Sequence, residues 1–269
     1  MRIRRLAIAG AVLVAAIGLS GCEAKDGTGA KDGTGAKDGT ATGVATEQAA
    51  DPAAELAAAA TRLADESLKV RTTMAAGLNA EGAADKSGHK MVMSMTIGDG
   101  TDPDSAMKVD LRKIGTDVYM RMGGSMTTML GDKAGKWMHI DAAKVPAGSP
   151  FSMESNDPKS AAKLIESAAQ VKKTGPGTFS GVLDMTKSPT VDQDSIKALG
   201  AKANAVPFTA TADDQGRLVE LVIDMGAVMP SAGKMTTTYS DFGTDVRVEA
   251  PPASEVIEMP KEMLGVVNA

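Results

Sequence analysis

The chain has 269 residues, a formal net charge of −5, 3% aromatic residues, 18 methionines and one cysteine. A single cysteine has no intramolecular disulfide partner and leaves no CxxC pair or cysteine-based metal site. The acidic balance argues against nucleic acid or an anionic membrane surface as a partner.

Taken in order, the chain opens on Arg2, Arg4 and Arg5, then an apolar run from Leu6 to Leu19, then Ser20-Gly21-Cys22. A basic start, a short apolar run and small residues before a cut describe a secretory signal. The run falls short of the roughly 20 apolar residues a membrane span needs. Leu19-Ser-Gly-Cys22 is the pattern of a bacterial lipobox: the thiol takes a diacylglyceryl group and the signal, residues 1–21, is cut just before Cys22. The bland alternative is an ordinary secretory signal with an incidental cysteine. With Arg2, Arg4 and Arg5 removed, the formal charge goes from −5 to −8. The mature chain is expected to be lipid-anchored at the cell membrane, on its extracytoplasmic face.

Residues 22–48 contain a hexapeptide repeat, Ala24-Lys-Asp-Gly-Thr-Gly29, Ala30 to Gly35 and Ala36 to Thr40. With nothing apolar larger than Ala, it cannot bury a core and reads as a disordered tether or a neutral spacer. Gly-rich chain of this length reaches roughly 30 Å, at about 5–6 Å times the square root of residue number.

Residues 49–269 are expected to form one domain. From about Glu47 to Leu78 the composition is helical, with the Ala53–Ala60 run, Asp51 as N-cap and Pro52 in the first turn. Leu56, Leu63, Leu68 and Val70 give that helix an apolar side. The period then changes to two. Met91, Met93, Met95 and Ile97 alternate with polar neighbours, as do Met107, Val109 and Leu111, and then Val118, Met120 and Met122. Trp137 to Ile140 follows. A helix from Asp157 to Val171, a strand from Phe179 to Met185 and a short helix from Asp192 to Leu199 come next. Strands resume at Val206–Thr211, Leu218–Met225, Met235–Phe242 and Val246–Glu249, and Pro251-Pro252 ends them. Eight to ten strands and two to three helices in this order describe an α+β fold built on one wide, curved antiparallel sheet. Such a sheet curls, and helices against its concave face can enclose a pocket.

Catalytic patterns are sparse. His89 and His139 lack any HxxxH or ExxH companion, so no metal site is expected. Ser160-Ala-Ala-Lys163 and Lys173-Thr-Gly175 fit two signatures of penicillin-recognising serine enzymes, but only ten residues separate them and the intervening element is missing. Gly175-Pro-Gly177 opens no strand-to-helix unit, so it is no dinucleotide loop, and no cofactor is expected. Asp99, Asp102 and Asp104 lack EF-hand order and read as a hairpin loop. The methionines remain. Met is a flexible gap filler, over-used where a surface must fit varied apolar partners, though it also fills ordinary cores.

Three stretches carry a family resemblance: Gly135-Lys-Trp137-Met-His-Ile-Asp141, Asp213-Asp-Gln-Gly-Arg-Leu-Val219, and Tyr239-Ser-Asp-Phe-Gly-Thr-Asp-Val246 running into Ala250-Pro-Pro252. Together with the lipobox and leading helix, their order resembles the LppX/LprG envelope lipoproteins, whose fold is like that of the LolA and LolB carriers. The likeness spans most of Glu55 to Pro260. The resemblance implies a half-barrel sheet with helices over its concave face, enclosing a cavity for acyl chains of a lipid or glycolipid, and no catalytic residues. It makes Cys22 the acylated residue. The expected cavity wall is Met91, Met93, Met95, Met107, Val109, Leu111, Val118, Met120, Met122, Met138, Ile140 and Leu183. The extra hexapeptide linker and the Met-for-Leu/Val usage depart from the family pattern. Expected partners are the lipid, the membrane through the acyl anchor, and a transporter that receives the cargo. The rival from another class is a ligand-free adaptor lipoprotein working through its acidic surface, and a third is a cell-wall enzyme.

Cys22→Ser is expected to abolish acyl labelling and to move the protein from the detergent to the aqueous phase in a Triton X-114 partition. Retention in the detergent phase would put the anchor elsewhere.

Overall fold

The computed structural model describes residues 51–98, 105–144, 160–187 and 200–260. The chain divides into two units, Met1–Glu47 and Gln48–Ala269, and every described residue lies in the second. Cys22, the repeat, the Asp99–Asp104 loop, the Asp157 helix start and the Asp192–Leu199 helix all lie outside the described residues.

Helix α1, Pro52–Thr61, begins where the sequence places its cap: the Asp51 carboxylate accepts from the Ala53 amide at 3.0 Å. It is shorter than expected. After a 3-10 turn at Arg62–Ala64 the chain enters strand β1, Leu68–Met74. Leu68 and Val70 therefore belong to a strand, not to the apolar side of a helix. Leu68, Val70 and Thr72 repeat every second residue, and the β-branched Val70, Thr72 and Thr73 suit a pleated strand.

The remaining strands are β2 (Leu78–Ala84), β3 (Lys90–Ile97), β4 (Met107–Ile114), β5 (Asp117–Gly124), β6 (Trp137–Asp141), β7 (Ala168–Gly175), β8 (Thr178–Leu183), β9 (Val206–Ala212), β10 (Leu218–Asp224), β11 (Lys234–Ser240) and β12 (Val256–Glu258). Among the described residues two short helices, α2 (Thr127–Leu130) and α3 (Ser160–Glu166), accompany them. The twelve strands among the described residues form one sheet, in the order β12-β6-β5-β4-β3-β2-β1-β11-β10-β9-β8-β7. Neighbours are antiparallel except β12 and β6, which are parallel. The large open sheet with few helices is consistent with a half-barrel.

Four differences from the sequence reading have physical reasons. Strand β2, Leu-Asn-Ala-Glu-Gly-Ala-Ala, has no apolar alternation of its own and is held by full registers with β1 and β3. Gly82 is required there, because a Cβ would sit 2.5 Å from the Val92 carbonyl oxygen. The second helix stops at Glu166, and Val171 lies on β7 instead. Its Ala-rich start reads as helical, but Ala168 and Ala169 pair with Leu183 and Val182, and a bulge with Gln170 at φ 54° follows. Val246–Glu249 is not a strand. It lies in a strap that leaves β11 at Ser240 and passes the β2–β3 turn, where Thr244–Val246 and Asp85–Ser87 line one depression. Arg112 of β4 donates to the Glu249 carbonyl at 3.0 Å, and the strap ends in β12, a strand too short to carry a pattern.

The largest core cluster joins α1 to one half of the sheet. Leu56, Ala59, Ala60 and Leu63 pack with Phe179, Leu183, Val206, Phe208, Leu221 and Ile223, and Ile165 of α3 joins them. Leu56 of α1 and Leu63 of the following 3-10 turn are both buried in this cluster. Leu56 is fully buried. Leu56→Ala is expected to lower unfolding free energy by about 2–5 kcal/mol, measured by urea denaturation.

Candidate functional site

In an antiparallel sheet, directly opposed residues share a face, and residues two apart along a strand stay on it. The observed registers therefore decide whether the expected wall residues meet. Met122, Val109 and Met95 oppose one another across β5, β4 and β3. The same row continues through Ala80, Thr72, Thr237, Leu221 and Ala210 to Phe179 of β8. A second row runs Met138–Met120–Leu111–Met93–Gly82–Val70–Tyr239, and a third Ile140–Val118–Lys113–Met91–Ala84–Leu68. Met107 opposes Ile97 on β3, and Leu183 alternates with Gly181 and Phe179 on β8. All twelve expected wall residues lie on a single face.

Their burial is uneven. Met91, Leu111, Val118, Met120, Met122, Met138, Ile140 and Leu183 are buried, whereas Met93, Met95, Met107 and Val109 are half-buried. Met120, Met122, Met138 and Ile140 pack with Leu130 of the α2 helix and with Met259 beyond β12. Met91, Leu111 and Val118 form a neighbouring cluster with Ala84 and Ala142. Leu183 belongs to the separate α1 cluster, so it shares the face but not the methionine packing.

Two polar features sit on this face unannounced by the apolar pattern. Thr72 and Thr237 join side chain to side chain at 3.0 Å between β1 and β11. Lys113 is only 3% exposed, between Met91 and Val118, and is engaged in an interaction there. Alternation along β4 was the signal for it: Lys113 follows Leu111 by two residues.

The opposite face is polar and braced. Trp137, the chain's single tryptophan, is 2% exposed and lies between the guanidinium groups of Arg112 and Arg121, each 4.6 Å from the ring centre. Arg121 is held in turn by Asp110 through bonds of 2.8 and 3.2 Å. His139 contacts Asp117 of β5 at 2.7 Å and Glu258 of β12 at 3.0 Å, with the Tyr119 ring 5.1 Å away. Burial pulls the His139 pKa down, but hydrogen bonds and negative charge from the two carboxylates outweigh it, leaving it above the usual 6.5.

The Asp213–Val219 and Tyr239–Val246 stretches brace one another. Asp213 closes the β9–β10 hairpin by accepting from the Gln215 and Arg217 amides at 3.0 and 2.9 Å, and from the Arg217 guanidinium at 2.9 and 2.7 Å. Burial raises the Asp213 pKa, but these bonds win and hold it below the ordinary value. Arg217 then lies 4.2 Å over the Phe242 ring, tying that hairpin to the strap. Lys173 of the Lys-Thr-Gly stretch pairs with Glu55 of α1 at 2.8 Å, which places it in a surface ion pair. Gly177 makes the β7–β8 turn at φ 63°. Among the described residues no group of three or more His, Cys, Asp or Glu is placed to hold a metal, and no helix is long and apolar enough to cross a membrane.

No family model matches the chain. It is 28% identical over 177 residues to an uncharacterised 31.2 kDa protein of Streptomyces griseus encoded between rplA and rplJ, covering 58% of each chain. It is 30% identical over 151 residues to a Streptomyces coelicolor protein named as a candidate lipoprotein, covering 54% of this chain and 49% of that one. The chain thus matches about half to three-fifths of the length of these relatives. Similarity to a lipoprotein agrees with the Leu-Ser-Gly-Cys22 pattern and a lipid anchor, and it reaches no finer than that.

Tyr239 lies on the methionine-bearing face, and burial pushes its phenol up to about 12. The folded-state value exceeds the unfolded one, so this contribution to stability is complete below pH about 10 and is lost as pH rises toward 12. Absorbance at 295 nm should show one tyrosine ionising near pH 12 in the folded protein and near 10 in urea. Ionisation of both tyrosines near 10 in the folded state would contradict this burial.

Proposed function

We propose that this chain is a membrane-anchored lipoprotein that binds, and carries, a hydrophobic acylated lipid or glycolipid within the cell envelope, without catalysing a reaction. The observation behind this reading is the single apolar face that runs from β6 to β8, with flexible methionines concentrated on β3 to β6. Met93, Met95, Met107 and Val109 are only half-buried, so part of that face has apolar surface left to give a ligand. Each CH₂ taken out of water contributes about 0.8 kcal/mol, so an acyl chain is held by an apolar wall without specific polar chemistry. Unbranched Met side chains would let one wall accept chains of several lengths. Helices over this face, enclosing an acyl cavity, belong to the proposal. So does the tether from Cys22, which would let the domain reach a donor membrane, and a transporter to receive the cargo.

The alternative of a ligand-free adaptor draws on the packing at both ends of the face, where the α1 cluster and the Met120–Met138 cluster fill space with the chain's own side chains. Native mass spectrometry of residues 48–269 made in an actinobacterial host, with organic extraction alongside, separates the two. Extractable adducts of lipid mass are expected, and Met95→Asp should reduce their occupancy about tenfold or more by placing a charge against the acyl chain. A bare protein mass, with no uptake of added lipid, would favour the adaptor.

A further inference from the structure

The short edge strand β12 is held in a way that a three-residue ladder does not explain. It pairs Val256, Ile257 and Glu258 with Trp137, Met138 and His139, and the Met259 amide donates to the His139 carbonyl at 3.0 Å. Met259 is buried beside Met120, Met122, Met138 and Ile140, so this strand seats the last cover over that end of the apolar face. On the opposite face the strand is tied through a single side chain. His139 lies between Asp117 of β5 and Glu258 of β12, each within hydrogen-bond distance of a different ring nitrogen.

An imidazole can satisfy two carboxylates only when both ring nitrogens carry hydrogen, as in the imidazolium. In the neutral ring one nitrogen becomes an acceptor and meets a carboxylate oxygen lone pair to lone pair. Glu258 is the partner free to leave, with its side chain 83% exposed against 49% for Asp117. We propose that His139, Asp117 and Glu258 form a proton-dependent latch: the imidazolium holds β12, and with it Met259, on the sheet edge, and loss of the proton loosens them.

The groups around the latch set its direction. Asp117 and Glu258 face the ring directly, Tyr119 stacks beside it, and Arg112 opposes Tyr119 on β4 while donating to Glu249 of the strap. Asp141 follows His139 by two residues on β6, opposite Asp117. Carboxylates on β5, β6 and β12 favour the charged ring, so the latch is shut at acidic pH and opens as pH rises through the His139 titration. Physically this is a histidine that reports protonation to the edge of the sheet and to the methionines behind it.

The test uses the mature full chain in detergent micelles. His139 ionisation is followed by imidazole NMR, and amide exchange, corrected for intrinsic pH dependence, is read at Ile257, Glu258 and Met259. Protection at these amides should fall about fivefold across the titration, the scale of a partly exposed charge pair. Amides of β3 and β4 should not change. Glu258→Gln, at an exposed position, should remove the pH dependence while leaving the fold intact. Equal protection on both sides of the titration, or an unchanged pH response in Glu258→Gln, would overturn the latch.

Discussion

A twelve-strand sheet with one apolar face must take that face out of water, and the rest of the molecule is arranged around this need. The face is continuous because the registers are: one row runs from Met122 on β5 to Phe179 on β8 across nine strands. A slip of one residue in any pairing would turn that strand's apolar set outward. The tight turns at Gly77, Gly115 and Gly177, all at positive φ, fix the hairpins against such slips.

Coverage is provided piecemeal. Leu56 of α1, Leu63 of the turn after it and Ile165 of α3 pack with one half of the sheet. At the other end Leu130 and Met259 are brought in by elements of four and three residues. Such short pieces have little stability of their own, so polar and cation–π ties elsewhere hold the chain in place. Arg217 joins Asp213 to Phe242, Arg112 holds Glu249, and His139 reaches Glu258. The three stretches that resemble envelope lipoproteins contain much of this bracing.

Composition also sets the character of the face. With aromatics at 3%, the interior relies on Met, Leu, Val and Ala. Methionine lets neighbouring side chains rearrange at low cost, so the β3–β6 half is more adaptable than the half packed on Phe179 and Phe208. Lys113 and the Thr72–Thr237 pair give this face polar points, and a buried lysine is tolerated only with a partner.

The sequence by itself showed the Leu19–Cys22 lipobox pattern, and it determined the α1 start at Asp51-Pro52 and the strands in which apolar residues alternate cleanly: β3, β4, β5, β6, β9, β10 and β11. Those signals are local, because a cap, a period of two or a Gly turn is written in adjacent residues. Only the tertiary structure decided that Leu68 and Val70 belong to a strand, that the Ala- and Gly-rich β2 pairs at all, and that Ala168–Gly175 extends. Each of these segments has weak or misleading local preference, and neighbouring ladders overrule it. The twelve wall residues could be assigned to alternating positions from sequence, but their meeting on one face required the registers. His139 showed no companion in sequence because its partners stand 22 and 119 residues away, on strands that only the folded sheet brings to either side of it.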